Sequence, residues 1–281
     1  MIPTWVILAA LAGLGSNIFA TFSRYFLKDK DDATLWAWFF ETGRLFVFGL
    51  VLLFDFSIRL EIKTILLLLL VGLTELGGDY FTMKMHAYTH LSISTIISRT
   101  RMIWIPIIAF FLLRESLHLT DYIGIAILFA GVSITVAPHK FLIDKGAKFA
   151  NIGALILAFN TVILQALIPY ASYSLIVASS AVPSVIFFPF VMRDPKKSII
   201  NFVKTKFWLK SFVVLAHVVS IYFFLAALKI GDVSRVNAIY QGMMVTSVFF
   251  GIIFFKERQD IVKKIIGAAV TIVGIILVTQ N

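Results

Sequence analysis

The 281-residue chain contains no cysteine, which excludes disulfide bridges and thiolate metal sites and leaves the redox compartment unmarked. Charge is also scarce, at 14% of residues, against about 25% in a typical soluble domain. A surface wetted by so few charges cannot keep a chain of this length in water. With 60% hydrophobic residues and a mean hydropathy of +0.95, the solvent it calls for is lipid. Segments of alternating polarity, the mark of a membrane barrel, are missing as well. Stretches such as Ile65 to Gly72 and Ile265 to Val278 are apolar all round, so the spans are read as helices.

Catalytic signatures are absent too. The sequence has no HExxH, no Gly-x-Ser-x-Gly and no nucleotide-binding loop. His86 and His90 have a spacing of four, but no carboxylate motif accompanies them. An intramembrane enzyme and a primary pump are therefore not expected, and neither are a metal or a cofactor. The net charge of +10 would suggest nucleic acid in a soluble protein. In a membrane protein it is explained by basic cytoplasmic loops facing anionic lipid, so no nucleic-acid partner is expected.

What is present is a series of apolar stretches long enough for about ten transmembrane helices. They are expected near 2–26, 34–56, 65–88, 92–113 and 121–137, then near 149–169, 172–192, 207–230, 234–255 and 262–279. Met1 to Phe26 lacks a basic leader and a convincing cleavage pattern, so it is read as the first span. The chain then divides into residues 1–138, a polar connection at 139–148, and residues 149–281. Arg193 to Lys206 is the only long loop, basic and carrying Pro195. Sixteen Lys and Arg fall in odd-numbered connections and five in even-numbered ones. That bias places the odd connections in the cytoplasm and both termini outside, in a multi-pass protein of the cell (inner) membrane.

The second half repeats the first. With an offset of 142, Tyr80 meets Tyr222, Phe81 meets Phe223 and Glu115 meets Glu257. One further residue aligns Gly124 with Gly267 and Gly131 with Gly274, so each half ends on a Gly-x6-Gly helix. Five spans per half is an odd number, so the second half must run inverted relative to the first. The expected fold is an all-α membrane protein of ten helices, two inverted five-helix repeats around a central cavity. Inverted repeats of this kind recur in secondary transporters.

At the end of each half a span is followed by a Glu-bearing charged turn, Arg114-Glu115-Ser116 and Lys256-Glu257-Arg258, and then by the glycine helix. In this the chain resembles the ten-helix EamA-like branch of the drug/metabolite transporter superfamily, over nearly its whole length. It departs from the family's roughly Gly-Glu-Arg turn by lacking the glycine in both copies. The resemblance implies export or exchange of small metabolites through a cavity lined by the first, third and fourth helices of each half. Several relatives have cytoplasmic termini, opposite to the Lys and Arg bias here. No individual substrate carries over.

Ionisable groups inside spans are costly, about 2.5–3.5 kcal/mol each on insertion scales, unless paired or wet. Glu75, Asp79 and His86 share one face of the third helix by their spacing and must face the bundle interior. The repeat places Glu75 opposite His217 and Arg99 opposite Gln241, and an offset of 143 pairs Asn17 with Asn160. The expected substrate site is Asn17, Glu75, Asp79, Arg99, Asn160, His217 and Gln241, walled by Tyr222 and Tyr240. Arg99 suits a carboxylate or phosphate, and Glu75 and Asp79 suit an ammonium. Glu75, Asp79 and His217 are also proton-coupling candidates. The plainer alternative is that Glu75 or Asp79 neutralises Arg99 or Arg101 in a static pair.

Glu41 and Arg44 are read as a structural pair on a peripheral helix, with Arg101 directed elsewhere, to Glu41 or an interface. Glu115 and Glu257 are read as fixing the turns at their helix ends. The functional expectation is a secondary transporter of small metabolites such as amino acids, in the bilayer and compatible with a homodimer. The competing reading is a non-transporting or lipid-flipping membrane subunit.

Overall fold

A computed structural model of the protein describes residues 2–26, 33–88, 96–136, 145–192, 194–246 and 260–280. Eleven helices run along them: α1 Thr4–Phe26, α2 Ala33–Asp55, α3 Ile62–Tyr88, α4 Arg101–Leu113, α5 Leu119–Val136, α6 Lys145–Leu167, α7 Tyr173–Val191, α8 Pro195–Lys204, α9 Phe207–Ile230, α10 Val233–Gly242 and α11 Ile261–Val278. Seven segments, beginning at Ala33, Ile62, Ile96, Lys145, Tyr173, Phe207 and Ile261, are at least 18 residues long and apolar enough to cross a membrane. Thr4–Phe19 and Leu119–Thr135 are shorter apolar helices. The outward faces of these helices are apolar, as lipid requires: Phe54 is 91% exposed, and Phe190 and Trp208 are 83% exposed.

Three local features differ from the sequence expectation. The basic loop at 193–206 contains the short helix α8, whose Phe202 is buried against Phe39 and Trp36, at ring centroid distances of 6.0 and 6.4 Å. Buried Lys210 fixes the end of α8 by donating from Nζ to Phe202 O at 2.6 Å and to Thr205 Oγ1 at 3.0 Å. The fourth span is not one continuous α-helix. Residues 96–98 are helical, Arg99 and Thr100 form a turn, and α4 resumes at Arg101. Across this turn the bonds close over three residues, as in Arg99 N–H to Ile96 O at 3.1 Å and Met102 N–H to Arg99 O at 3.0 Å. The ninth span behaves alike. A turn at Met243–Met244 ends α10, with Met244 N–H bonded to Gln241 O at 3.2 Å. The two breaks fall within two residues of equivalent positions in the repeats, and broken helices in corresponding positions of two halves are a device of transporter folds.

Helix pairing follows a two-fold pattern. α2 packs on α7, α5 on α11 and α4 on α10, so counterpart meets counterpart; α1 lies along α9, and its counterpart α6 lies along α3. The closest seam is α5 with α11, where all four aligned glycines meet. A Cβ on Gly131 would stand 2.8 Å from Gly267 O, and one on Gly267 would stand 2.8 Å from Gly131 O. One on Gly274 would stand 2.8 Å from Gly124 O. Early residues of α5 thus meet late residues of α11, so these equivalent helices run antiparallel. Only glycine lets two helix backbones approach this closely.

The ends carrying the even-numbered connections are tied together. Ile58 and Ala171 form an isolated antiparallel bridge, with Arg59 N–H to Tyr170 O at 2.7 Å and Ser172 N–H to Ser57 O at 2.9 Å. Nearby, Arg235 Nη2 lies 2.9 Å from Asp121 Oδ2, joining the starts of α10 and α5.

Candidate functional site

The middle of α2 is Arg44 and the middle of α3 is Glu75, and the two meet. Arg44 Nη1 donates to Glu75 Oε1 at 2.6 Å and to Glu41 Oε1 at 2.7 Å, while Nη2 donates to Ser180 Oγ of α7 at 3.0 Å. Glu41 is fully buried, Arg44 is 5% exposed, and the Glu75 side chain is 15% exposed. One turn along α3, Asp79 accepts from Ser184 Oγ of α7 at 3.2 Å. One carboxylate oxygen from each of Glu41, Glu75 and Asp79 lies within 4.8 Å of the others. Three carboxylates and one guanidinium thus form an ionic cluster between α2, α3 and α7.

The ion pair of Glu75 is thus with Arg44, a partner that the plainer alternative of a static pair with Arg99 or Arg101 did not include. The pair Glu41–Arg44 exists as expected, at 2.7 Å, but it is joined to the acidic stripe of the third helix rather than lying apart from it. The sequence signal for this was available: Arg44 and Glu75 both fall at the midpoints of their spans, hence at one depth.

A second polar group lies where the two halves meet at α4 and α10. Arg99 Nη1 donates to Gln241 Oε1, and these residues are separated by 142 positions, the repeat offset itself. Two aligned residues that touch each other must flank the two-fold axis. Gln241 is fully buried, and its Nε2 donates to Asn237 Oδ1 at 3.3 Å. Tyr240 Oη donates to Ser16 Oγ of α1 at 2.8 Å, and its ring packs on Phe224 at a centroid distance of 4.7 Å. Among the described residues the Arg101 Nε is enclosed and has no hydrogen-bond partner.

The remaining site residues are dispersed. Asn17 donates from Nδ2 to Met243 O and to Thr246 Oγ1, the latter at 3.2 Å, tying α1 to the end of α10. Asn160 donates to Val71 O at 3.0 Å and to Thr74 Oγ1 at 2.9 Å, tying α6 to α3. Both are buried and act as helix-to-helix clamps on opposite seams. His217 does not meet Glu75. Its ring lies tilted against Phe19 and edge-on to Phe40, at 4.4 and 5.0 Å, and its Nδ1 is enclosed without a hydrogen-bond partner among the described residues. Phe40 in turn carries Arg44 over its ring at 5.3 Å, so it separates the imidazole from the ionic cluster. Tyr222 is not in the interior: it is 50% exposed and edge-on to Tyr173 at 5.7 Å. The side chain of His86 and all of Glu257 lie outside the described residues.

Glu115 reaches across the halves. Its two oxygens accept from Val233 N–H at 3.1 Å and Ser234 N–H at 3.2 Å, the first turn of α10. A carboxylate there satisfies N–H groups that a helix start leaves unbonded. Burial raises its pKa above the usual carboxylate value, and the hydrogen bonds from Ser234 and Val233 offset part of that rise.

These features describe a polytopic helical membrane protein whose two related halves meet at a polar middle layer. The EamA-like transporter family model matches residues 3–137 and again 144–280, so each half is one copy. The chain belongs to the EamA-like transporter family, a family of transporters within the drug/metabolite superfamily. A solved structure titled only "Crystal structure of protein" superimposes with a TM-score of 0.76 at 15% identity, covering 100% of this chain and 99% of that one. That likeness bears on the fold alone. No curated protein matches the sequence.

Proposed function

We propose that this protein is a secondary transporter, an exporter or exchanger, of small metabolites such as amino acids, working by alternating access around the layer that holds Arg99, Gln241 and Tyr240. The observation that carries the reading is the contact of Arg99 with Gln241. These are equivalent residues of the two repeats, touching beside the turns that break both fourth spans. A polar group on the axis of inverted repeats is presented alike to both sides when the halves exchange conformations. The substrate then sits between this layer and the acidic residues Glu75 and Asp79, with Asn17 and Asn160 holding the helices that frame it. The odd-numbered connections face the cytoplasm, and the termini lie outside.

The test is counterflow in proteoliposomes loaded with unlabelled amino acids and supplied externally with radiolabelled ones. Transient accumulation above equilibrium is expected, with loss of that overshoot in R99A and Q241A. A proton gradient should alter the rate, and E75Q should remove that dependence. Absence of counterflow for every metabolite tried, at verified insertion, would reject the transporter reading.

A further inference from the structure

The connection between α7 and α9 is where the second half departs from the first. Residues 56–61 lead from α2 to α3 without a helix, whereas residues 192–206 lead from α7 to α9 and hold α8, Pro195–Lys204. The duplication therefore gives no reason for α8. Nor does the polar layer, because α8 sits at the end of the bundle rather than in its middle.

The two faces of α8 differ sharply. Phe202 is buried and, with Ile199, packs on the core. Lys196, Lys197, Ile200, Asn201 and Lys204 are exposed, and at about 100° per residue they fall within an arc of about 140°. None of these three lysines makes a hydrogen bond or an ion pair among the described residues. Asp194 is the only acidic residue of 188–209 and offsets one of the three charges. Asp194, Pro195, Lys196, Lys197, Ile200 and Asn201 line an open hollow of about 560 Å³.

The neighbours of α8 fix its level in the membrane. Phe190 and Val191, at the end of α7, are exposed by 83 and 50%, and Trp208, at the start of α9, by 83%. These side chains belong to lipid, so α8 between them lies where acyl chains give way to headgroups, the usual level of an interfacial tryptophan. A helix face there offers ammonium groups to phosphates, and Ile200 and the lysine stems to the first acyl carbons. We propose that the hollow beside α8 binds the headgroup of an anionic phospholipid, its phosphate against Lys196 and Lys197. Lys204, two turns on, extends the attraction, and the acyl chains lie along Phe190, Val191 and Trp208. Through Phe202 and Lys210, a headgroup held there ties the starts of α2 and α9 to the membrane surface.

The full-length protein in phosphatidylcholine vesicles tests this through its own fluorescence. Trp208 is the exposed tryptophan, while Trp36 is buried and Trp5, Trp38 and Trp104 are half-buried, so quenchers carried by lipid act chiefly on Trp208. Phosphatidylglycerol and phosphatidylcholine with brominated acyl chains are compared at equal mole fraction. Brominated phosphatidylglycerol should quench more strongly, its apparent affinity higher by roughly fivefold for each lysine engaged, from about 1 kcal/mol per cation at an anionic surface. The excess should shrink at high salt, where exposed charges are screened, and should vanish in W208F. K196Q/K197Q/K204Q should lose the preference, while K196R/K197R/K204R and K63Q/K229Q, the latter at the opposite end of the bundle, should keep it.

Equal quenching of the wild type by the two brominated lipids would overturn the proposal. So would a preference that survives in K196Q/K197Q/K204Q or in W208F, or one lost equally in K63Q/K229Q. Displacement of the brominated lipid by inorganic phosphate, beyond that by chloride at equal ionic strength, would make this a site for a free anion and overturn the lipid assignment. Should the triple variant not fold, K196Q and K197Q decide singly, each expected to weaken the preference by roughly fivefold; no change in either refutes the site. None of these readouts involves transport, so they stand or fall apart from the transporter reading.

Discussion

Arg44 is the single group on which the ionic cluster of α2, α3 and α7 depends, and its removal should be costly. In R44M the apolar stem is kept and the guanidinium is lost. Glu41, fully buried, and Glu75, 15% exposed at its side chain, then lose partners at 2.7 and 2.6 Å. Breaking a buried ion pair from one side costs about 3–5 kcal/mol, because an uncompensated charge remains. At roughly 2–4 °C per kcal/mol for a domain of this size, the melting temperature should fall by roughly 6–20 °C. With no cysteine in the chain, thiol-reactive dyes have nothing to label, so the readout is fluorescence of the five tryptophans. Because the loss comes from stranded carboxylates, the triple variant E41Q/R44M/E75Q should recover most of it, a non-additivity that defines coupled residues. If R44M melts within a degree or two of wild type, or if the triple variant is worse than R44M, the cluster does not stabilise the bundle in the manner described.

Three further outcomes follow from the packing. G131A should lower the melting temperature, since its Cβ would lie 2.8 Å from Gly267 O in the α5–α11 seam. G49A, with nothing within 4 Å of the added carbon, should be neutral or stabilising by about 0.5–1 kcal/mol in the same measurement. E115A should cost about 0.5–2 kcal/mol, the usual value of a helix N-terminal cap. The pH dependence has a definite sign there. The folded-state pKa of Glu115 is raised by burial, so the fold favours the protonated form. Stability from this group is full below the ordinary carboxylate range and declines as pH rises through the folded value. A melting curve series for E115Q should lose that part of the slope, and an unchanged slope would show that another group is responsible.

The inverted duplication was legible because its signals are covalent: an offset of 142, a pair of Gly-x6-Gly helices, and Tyr80, Phe81 and Glu115 each meeting their like or, for Glu115, the Glu257 counterpart. Arg99 and Gln241 were legible for the same reason, as aligned polar residues. The partner of Glu75 was not. Spacing fixes which face of a helix a residue occupies, but not which of its neighbours lies opposite, so by sequence α2 reads as a peripheral helix apart from the acidic stripe. Arg44 becomes visible only when depth is considered, since 44 and 75 are each mid-helix. His217 misled because alignment with Glu75 implies symmetry of position, not of environment: the counterpart of an ionic cluster here is the aromatic pair Phe19 and Phe40. Asn17 and Asn160 align with each other, yet each is spent on a carbonyl of a neighbouring span. The helix break after Ser98 has no proline or glycine at its turn, and Gly242 beside the other break does not by itself mark one.

The contact between α5 and α11 has two sides, Gly131 against Gly267 and Gly124 against Gly274, and the two-fold that aligns Gly124 with Gly267 and Gly131 with Gly274 exchanges one side for the other. Such a surface is its own complement. A single repeat already carries the face needed by a second repeat turned upside down. Polypeptides 1–138 and 139–281, produced separately in one cell, therefore hold both faces of this joint without the peptide bond between them.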